Sequence, residues 1–127
     1  MTGIETALFA RLITLLPPGT AVFLHEMPQD ATGPYVVFEV TERNDVRGTA
    51  PLSTLEVRVA CYAPAHADSE GLAGDARQGL DGWGHGAPGL RLHPLLLANQ
   101  EGGFESEFGV YRSAVTFAAQ AVQWAIV

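Results

Sequence analysis

The chain has 127 residues, 47% hydrophobic and 17% charged, a balance that one packed core can satisfy without disulfide or metal staples. Its net charge is −7 and all seven basic residues are arginine. That argues against a broad electrostatic grip on nucleic acid, and the absence of lysine excludes Schiff-base chemistry and a phosphate-binding P-loop. Cys61 is the single cysteine, so neither an intrachain disulfide nor a multi-cysteine metal site can form. The apolar runs are too short to span a bilayer, and no basic stretch precedes an apolar one at the N-terminus. The expectation is one soluble domain, residues 1–127, made inside the cell.

Thr2 and Glu5 have the spacing of a capping box. Ile4, Leu8, Leu12, Leu15 and Leu16 then form one apolar stripe, so a helix is expected until Pro17, Pro18 and Gly19 end it. Residues 21–24 form a short apolar strand. Beyond a loop at 27–33, residues 35–43 alternate: Val36, Phe38 and Val40 share one face, Tyr35, Val37, Glu39 and Thr41 the other. A polar connection over 44–52 is too long for a tight hairpin. The strand 54–63 then points Leu55, Val57, Val59 and Cys61 one way and Glu56, Arg58 and Tyr62 the other.

Asp68 is placed to cap a second helix, with Glu70 in its first turn and Leu72, Ala76 and Leu80 at four-residue spacing. Gly71, Gly74 and Gly79 each cost that helix about 1 kcal/mol against alanine, so docking must stabilise it. A glycine-rich connection spans 82–89. Residues 89–97 suggest a strand that Pro94 interrupts with a bulge or an edge. Residues 101–107 read as an acidic loop, and 109–121 as a long strand with Tyr111, Val115 and Phe117 on one face. The order α-β-β-β-α-β-β predicts an α+β fold: an antiparallel sheet of four to five strands with both helices on one face.

No pattern of residues assembles a catalytic site. Gly84, Gly86 and Gly89 spell a dinucleotide-binding motif, but neither a preceding strand nor a following helix accompanies them. None of His25, His66, His85 and His93 has helical metal-pair spacing, and Cys61 alternates with valines as a small buried hydrophobe. Glu101, Glu105 and Glu107 crowd one loop without the spacing of a calcium-binding hand. No metal or cofactor is expected. The sheet face away from the helices is different: Tyr35, Glu39, Arg58 and Tyr62 are residue types that interfaces favour, with Glu39 and Arg58 positioned for a cross-strand pair. The long connections add Arg43, Asp45 and Arg47 on one side and Glu101, Phe104, Glu105 and Glu107 on the other as contact candidates.

Taken in order, the N-terminal amphipathic helix, residues 34–38 (PYVVF), 55–63 (LEVRVACYA), a helix ending at 79–82 (GLDG) and 111–117 (YRSAVTF) resemble the tail-terminator, or tail-completion, proteins of long-tailed (siphovirus-like) phages, prophages and gene transfer agents. The similarity runs over residues 4–122, and the glycine-rich 82–89 stretch departs from it. It implies a structural, non-enzymatic virion protein that forms a hexameric ring on the head-proximal end of the tail tube. Such a ring ends tube polymerisation and offers a surface for head joining. The partners implied are further copies of the chain, the tail-tube protein and the head–tail connector. DNA would pass through an acidic lumen that does not hold it. The alternatives are a connector or adaptor of the same neck region, or a small α+β ligand-binding protein or enzyme.

Overall fold

A computed structural model describes residues 2–26, 33–44, 52–105 and 109–124. Two helices and seven strands follow in the order α1 (Gly3–Leu15), β1 (Ala21–Leu24), β2 (Tyr35–Asn44), β3 (Leu52–Ala63), α2 (His66–Leu80), β4 (His85–Ala87), β5 (Leu90–Leu92), β6 (Leu96–Glu105) and β7 (Val110–Gln123).

The capping box forms as its spacing implies. Thr2 Oγ1 accepts from the Glu5 N–H at 3.2 Å, and the Thr2 N–H donates to Glu5 Oε1 at 2.8 Å. Ile4, Leu8, Leu12 and Leu16 are buried, and Phe9 approaches the Phe38 ring at 6.4 Å. Glu5 is itself buried, and its other oxygen lies 2.9 Å from His25 Nε2. The Thr2 backbone N–H holds its carboxyl below the usual glutamate range; burial opposes that, and the hydrogen bond to His25 reinforces it. A group depressed in this way stabilises the fold fully above the ordinary glutamate pKa and loses that contribution as the pH falls through its folded value. Glu5→Gln, which keeps the shape of the box, should cost about 0.5–1 kcal/mol near neutral pH. Urea titrations across pH should show this deficit vanish well below the glutamate range.

Both helices cover one face of the sheet. The shared core joins Leu8 and Leu12 of α1 and Leu72, Ala76 and Leu80 of α2 to Phe38, Val57, Val59 and Phe117. The helix–helix contact explains one costly glycine: a Cβ on Gly79 would stand 2.1 Å from a Leu15 methyl. Arg11 also donates through Nε and Nη2 to the Gly79 carbonyl, at 3.3 and 3.0 Å. α2 starts earlier than its sequence suggests. Ala65 occupies the N-cap without a side-chain hydrogen bond, and Asp68 lies in the first turn. Helical geometry begins directly after Ala65, whose carbonyl accepts from both the Asp68 and Ser69 N–H groups.

The sheet is mixed and has more strands than the expected four to five. β1 pairs with β2 in parallel, Ala21 facing Tyr35 and Leu24 facing Phe38. β2–β3 and β3–β7 are antiparallel, with Phe38 opposite Val59 and Val59 opposite Val115. The order is β1-β2-β3-β7-β5-β4, with β6 also on β7. β1 ends at Leu24, and His25 directly after it holds φ +68° in the left-handed region costly to a residue with a Cβ.

The glycine-rich stretch folds as a hairpin, β4 on β5, with Ala87 opposite Leu90. Pro88 and Gly89, at φ +81°, make its turn, so the dinucleotide-like letters carry no helix N-terminus for a phosphate. The expected strand over 89–97 is two strands on one edge of β7. Leu92 faces Ala121 and Leu96 faces Ala118, so one extra residue bulges out around Pro94, which has no N–H to give the ladder. Leu95 turns fully into the core there. Its backbone is tied to the exit of α2, accepting from Gly82 at 2.7 Å and donating to Trp83 at 2.9 Å.

The acidic loop expected from residue 101 is strand up to Glu105, where Glu105 faces Val110. As an outer strand carrying Gly102 and Gly103, β6 lacks the apolar alternation that marks a buried one. Asp45, Arg47 and Glu107 lie outside the described residues.

Candidate interaction surface

The strand period of two places residues of one parity on the helix-free face. On β2 these are Tyr35, Val37, Glu39, Thr41 and Arg43, and on β3 Thr54, Glu56, Arg58, Ala60 and Tyr62. The registers add Arg112, Ala114, Thr116 and Ala118 of β7 and Glu101 of β6. Six residues singled out in the sequence therefore meet on one surface: Tyr35, Glu39, Arg43, Arg58, Tyr62 and Glu101. Phe104 does not join them. It faces Tyr111 on the helix side, ring centroids 5.0 Å apart, and is 56% exposed.

The surface has a rigid aromatic end. Tyr35 and Tyr62 stand opposite in register and stack at 4.9 Å with 16° between planes, and Phe23 meets Tyr35 edge-on at 6.3 Å. Such pairs contribute about 0.5–1.5 kcal/mol beyond the area they bury. Tyr35 is covered from within the chain, at 3% exposure, whereas Tyr62 remains partly accessible.

At the centre Glu101 Oε1 is shared by two guanidiniums, Arg58 Nη2 at 3.1 Å and Arg112 Nη1 at 3.5 Å. Glu39 stands directly opposite Arg58 in the ladder, but Arg58 directs its donor across β7 to β6. A three-strand ion cluster thus stands where a two-strand pair was expected. Its groups are partly exposed, so it contributes at most about 1 kcal/mol per pair to stability. Ala60 and Ala114, buried between the cluster's strands, let the arginine stems lie close to the sheet. Arg112 was not singled out in the sequence; the signal available was its place between Tyr111 and Ser113, which turn to the helix side.

Beyond the cluster the surface is small-chained and hollowed. Thr41, Arg43, Thr54, Ala98, Thr116 and Ala118 line a depression of about 200 Å³. A neighbouring one of about 400 Å³ shares Thr54 and Ala118 and adds Pro94 and Leu96. Leu96 is 64% exposed, a large apolar side chain standing on an open face.

The nucleophile chemistry of Cys61 is suppressed. It is fully buried, and burial together with the Asp75 charge pushes its thiol up to about 12, leaving almost no thiolate at neutral pH. Among the described residues, no three His, Cys, Asp or Glu side chains form a group able to hold a metal ion, and no helix is long and apolar enough to cross a membrane.

This architecture is shared with a solved particle. One chain of the structure titled "Virion of native gene transfer agent (GTA) particle" superposes with a TM-score of 0.71, covering 94% of each chain at 19% identity. A second solved protein matches with a TM-score of 0.70 over 98% of this chain and 96% of its own, at 15% identity. No protein-family model matches the sequence, and no curated protein matches it. At these identities the likeness is one of fold, over 94% and 98% of this chain.

Proposed function

We infer that this protein is a tail terminator: a non-enzymatic virion protein that closes as a ring, hexameric by resemblance, on the head-proximal end of a phage or gene-transfer-agent tail tube. It stops tube growth and presents the surface to which the head's connector docks. The observation that carries this reading is the end-to-end structural likeness to a chain of a gene transfer agent virion. The helix-free face supports it, with an arginine–glutamate cluster, an exposed leucine and small-residue hollows around it. Glu39, Arg43, Arg58, Tyr62 and Glu101 are its contact residues toward tube or connector, and ordered neighbours there would bury groups that water covers in the free chain.

Negative-stain imaging of purified protein mixed with tail tubes tests the assignment. Rings on one tube end, and overlong headless tails when the gene is deleted, are the expected results. Binding to the head's portal complex without any binding to tubes would assign it to the connector instead. At residue level, Arg58→Glu places a carboxylate beside Glu39 and Glu101 and should lower the yield of head-joined tails at least tenfold. Its circular dichroism should match that of the wild type. Normal joining by this variant would remove the helix-free face from the contact.

A further inference from the structure

A hollow lies at the end of the molecule where β2 begins, β3 ends and α2 starts, and neither the sequence analysis nor the helix-free face accounts for it. It measures about 350 Å³ and is walled by Pro17, Pro18, Pro34 and Pro64, with Asp68 and Asp75 at its side. Four prolines make a stiff apolar wall with little conformational freedom to lose on binding. Among the described residues neither aspartate has a cationic partner. Gly71 lines the same hollow, and a Cβ there would meet nothing within 4 Å. The folded chain therefore has no internal need of this glycine, which weakens the helix relative to alanine.

The complementary chemistry is at the opposite end of the same sheet. β7 runs from Tyr111, whose ring meets His66 beside the hollow, to Gln123, a span of about 40 Å at strand rise. Immediately beyond, Trp124 is 49% exposed and held in place by its N–H donating to the Gly89 carbonyl at 2.9 Å. Arg91, opposite Val122 on the adjoining strand β5, is exposed, and among the described residues no carboxylate pairs with it. Tryptophan and arginine are the residue types that most often anchor interfaces.

We propose that the Trp124–Arg91 end of one copy seats in the proline-walled hollow of the next, the guanidinium meeting Asp68 and Asp75. The contact joins different surfaces of two identical chains, so it propagates head to tail and yields a ring when its rotation closes. It is the subunit–subunit contact of the ring inferred above and rests on that reading; it takes only the Arg91 end of the helix-free face, and the part around the arginine–glutamate cluster stays available to tube and connector.

The test uses two single-cysteine additions that spare the anchoring residues, exposed Gln123→Cys beside Trp124 and Gly71→Cys in the hollow, on the full chain, where buried Cys61 does not compete. Under mild oxidation an equimolar mixture should give a cross-linked heterodimer in at least tenfold excess over either variant alone. Arg91→Asp and Asp75→Arg should each weaken self-association at least tenfold by light scattering, and the double variant should restore it. Absence of the mixed cross-link, or wild-type association by both single variants, overturns the proposal. These outcomes are separable from the terminator reading. A chain that cross-links here yet never binds tubes keeps the contact and loses the tail-end role. One that caps tubes normally as Arg91→Asp keeps the role and loses the contact.

Discussion

Phe117→Ala should lower the free energy of unfolding by about 3–5 kcal/mol, the range for emptying a fully buried aromatic site. Phe117 has no exposed surface and sits on β7, the strand that pairs with β3 on one side and β5 and β6 on the other. It faces Val57 across one ladder and Leu97 across the other. No flexible edge is near enough to collapse into the space it leaves. Against a typical total of about 5–15 kcal/mol, that loss leaves some of the variant unfolded at physiological temperature. Urea unfolding followed by circular dichroism should show a lower midpoint with an unchanged slope, since the surface exposed on unfolding is nearly the same. The helix-free face should suffer with it, because Arg112, Thr116 and Ala118 ride on the same strand. A midpoint within experimental error of the wild type would mean that β7 is not the centre of the core.

Leu95→Ala should cost about 2–5 kcal/mol, at the upper end if the bulge around Pro94 is as closely tied as its hydrogen bonds indicate. Leu95 is fully buried although it lies between two strands in a segment whose neighbours His93, Pro94 and Leu96 are all exposed. Its backbone bonds to Gly82 and Trp83 lock the bulge to the end of α2. Gly84 allows the close approach that results, since a Cβ there would stand 2.9 Å from the Leu92 carbonyl oxygen. Losing the side chain therefore loosens the β4–β5 hairpin as well as the core. Hydrogen exchange should report this as faster exchange at Leu92 and His93 with little change in β2. A cost below about 0.5 kcal/mol, the range of ordinary surface substitutions, would show that the bulge is held by its backbone alone.

Local chemistry determined much of this molecule from the sequence alone. The capping box, the α1 stripe, the proline stop and the alternation of β2, β3 and β7 each depend on residues a few positions apart, and each forms where the pattern puts it. Alternation also determined which residues of β2 and β3 share the helix-free face, so Tyr35, Glu39, Arg58 and Tyr62 fall on it together as the pattern puts them, whereas Arg43, at the edge of an expected connection, and Glu101, expected in a loop, reach it as strand residues. Tertiary structure alone decided what depends on partners distant in sequence. The parallel pairing of β1 needs a return of the chain that no local pattern encodes. β6 was hidden because an outer strand, partly exposed on both faces, has no apolar period to betray it, and Gly102 and Gly103 mimic a loop. The start of α2 was set by the carbonyl of Ala65 rather than by the better-looking cap at Asp68. Arg58 faces Glu39 in the ladder but pairs with Glu101, because the curled sheet brings β6 within reach of its guanidinium. Pairing is a property of three-dimensional distance, which a pattern of neighbours in sequence does not contain.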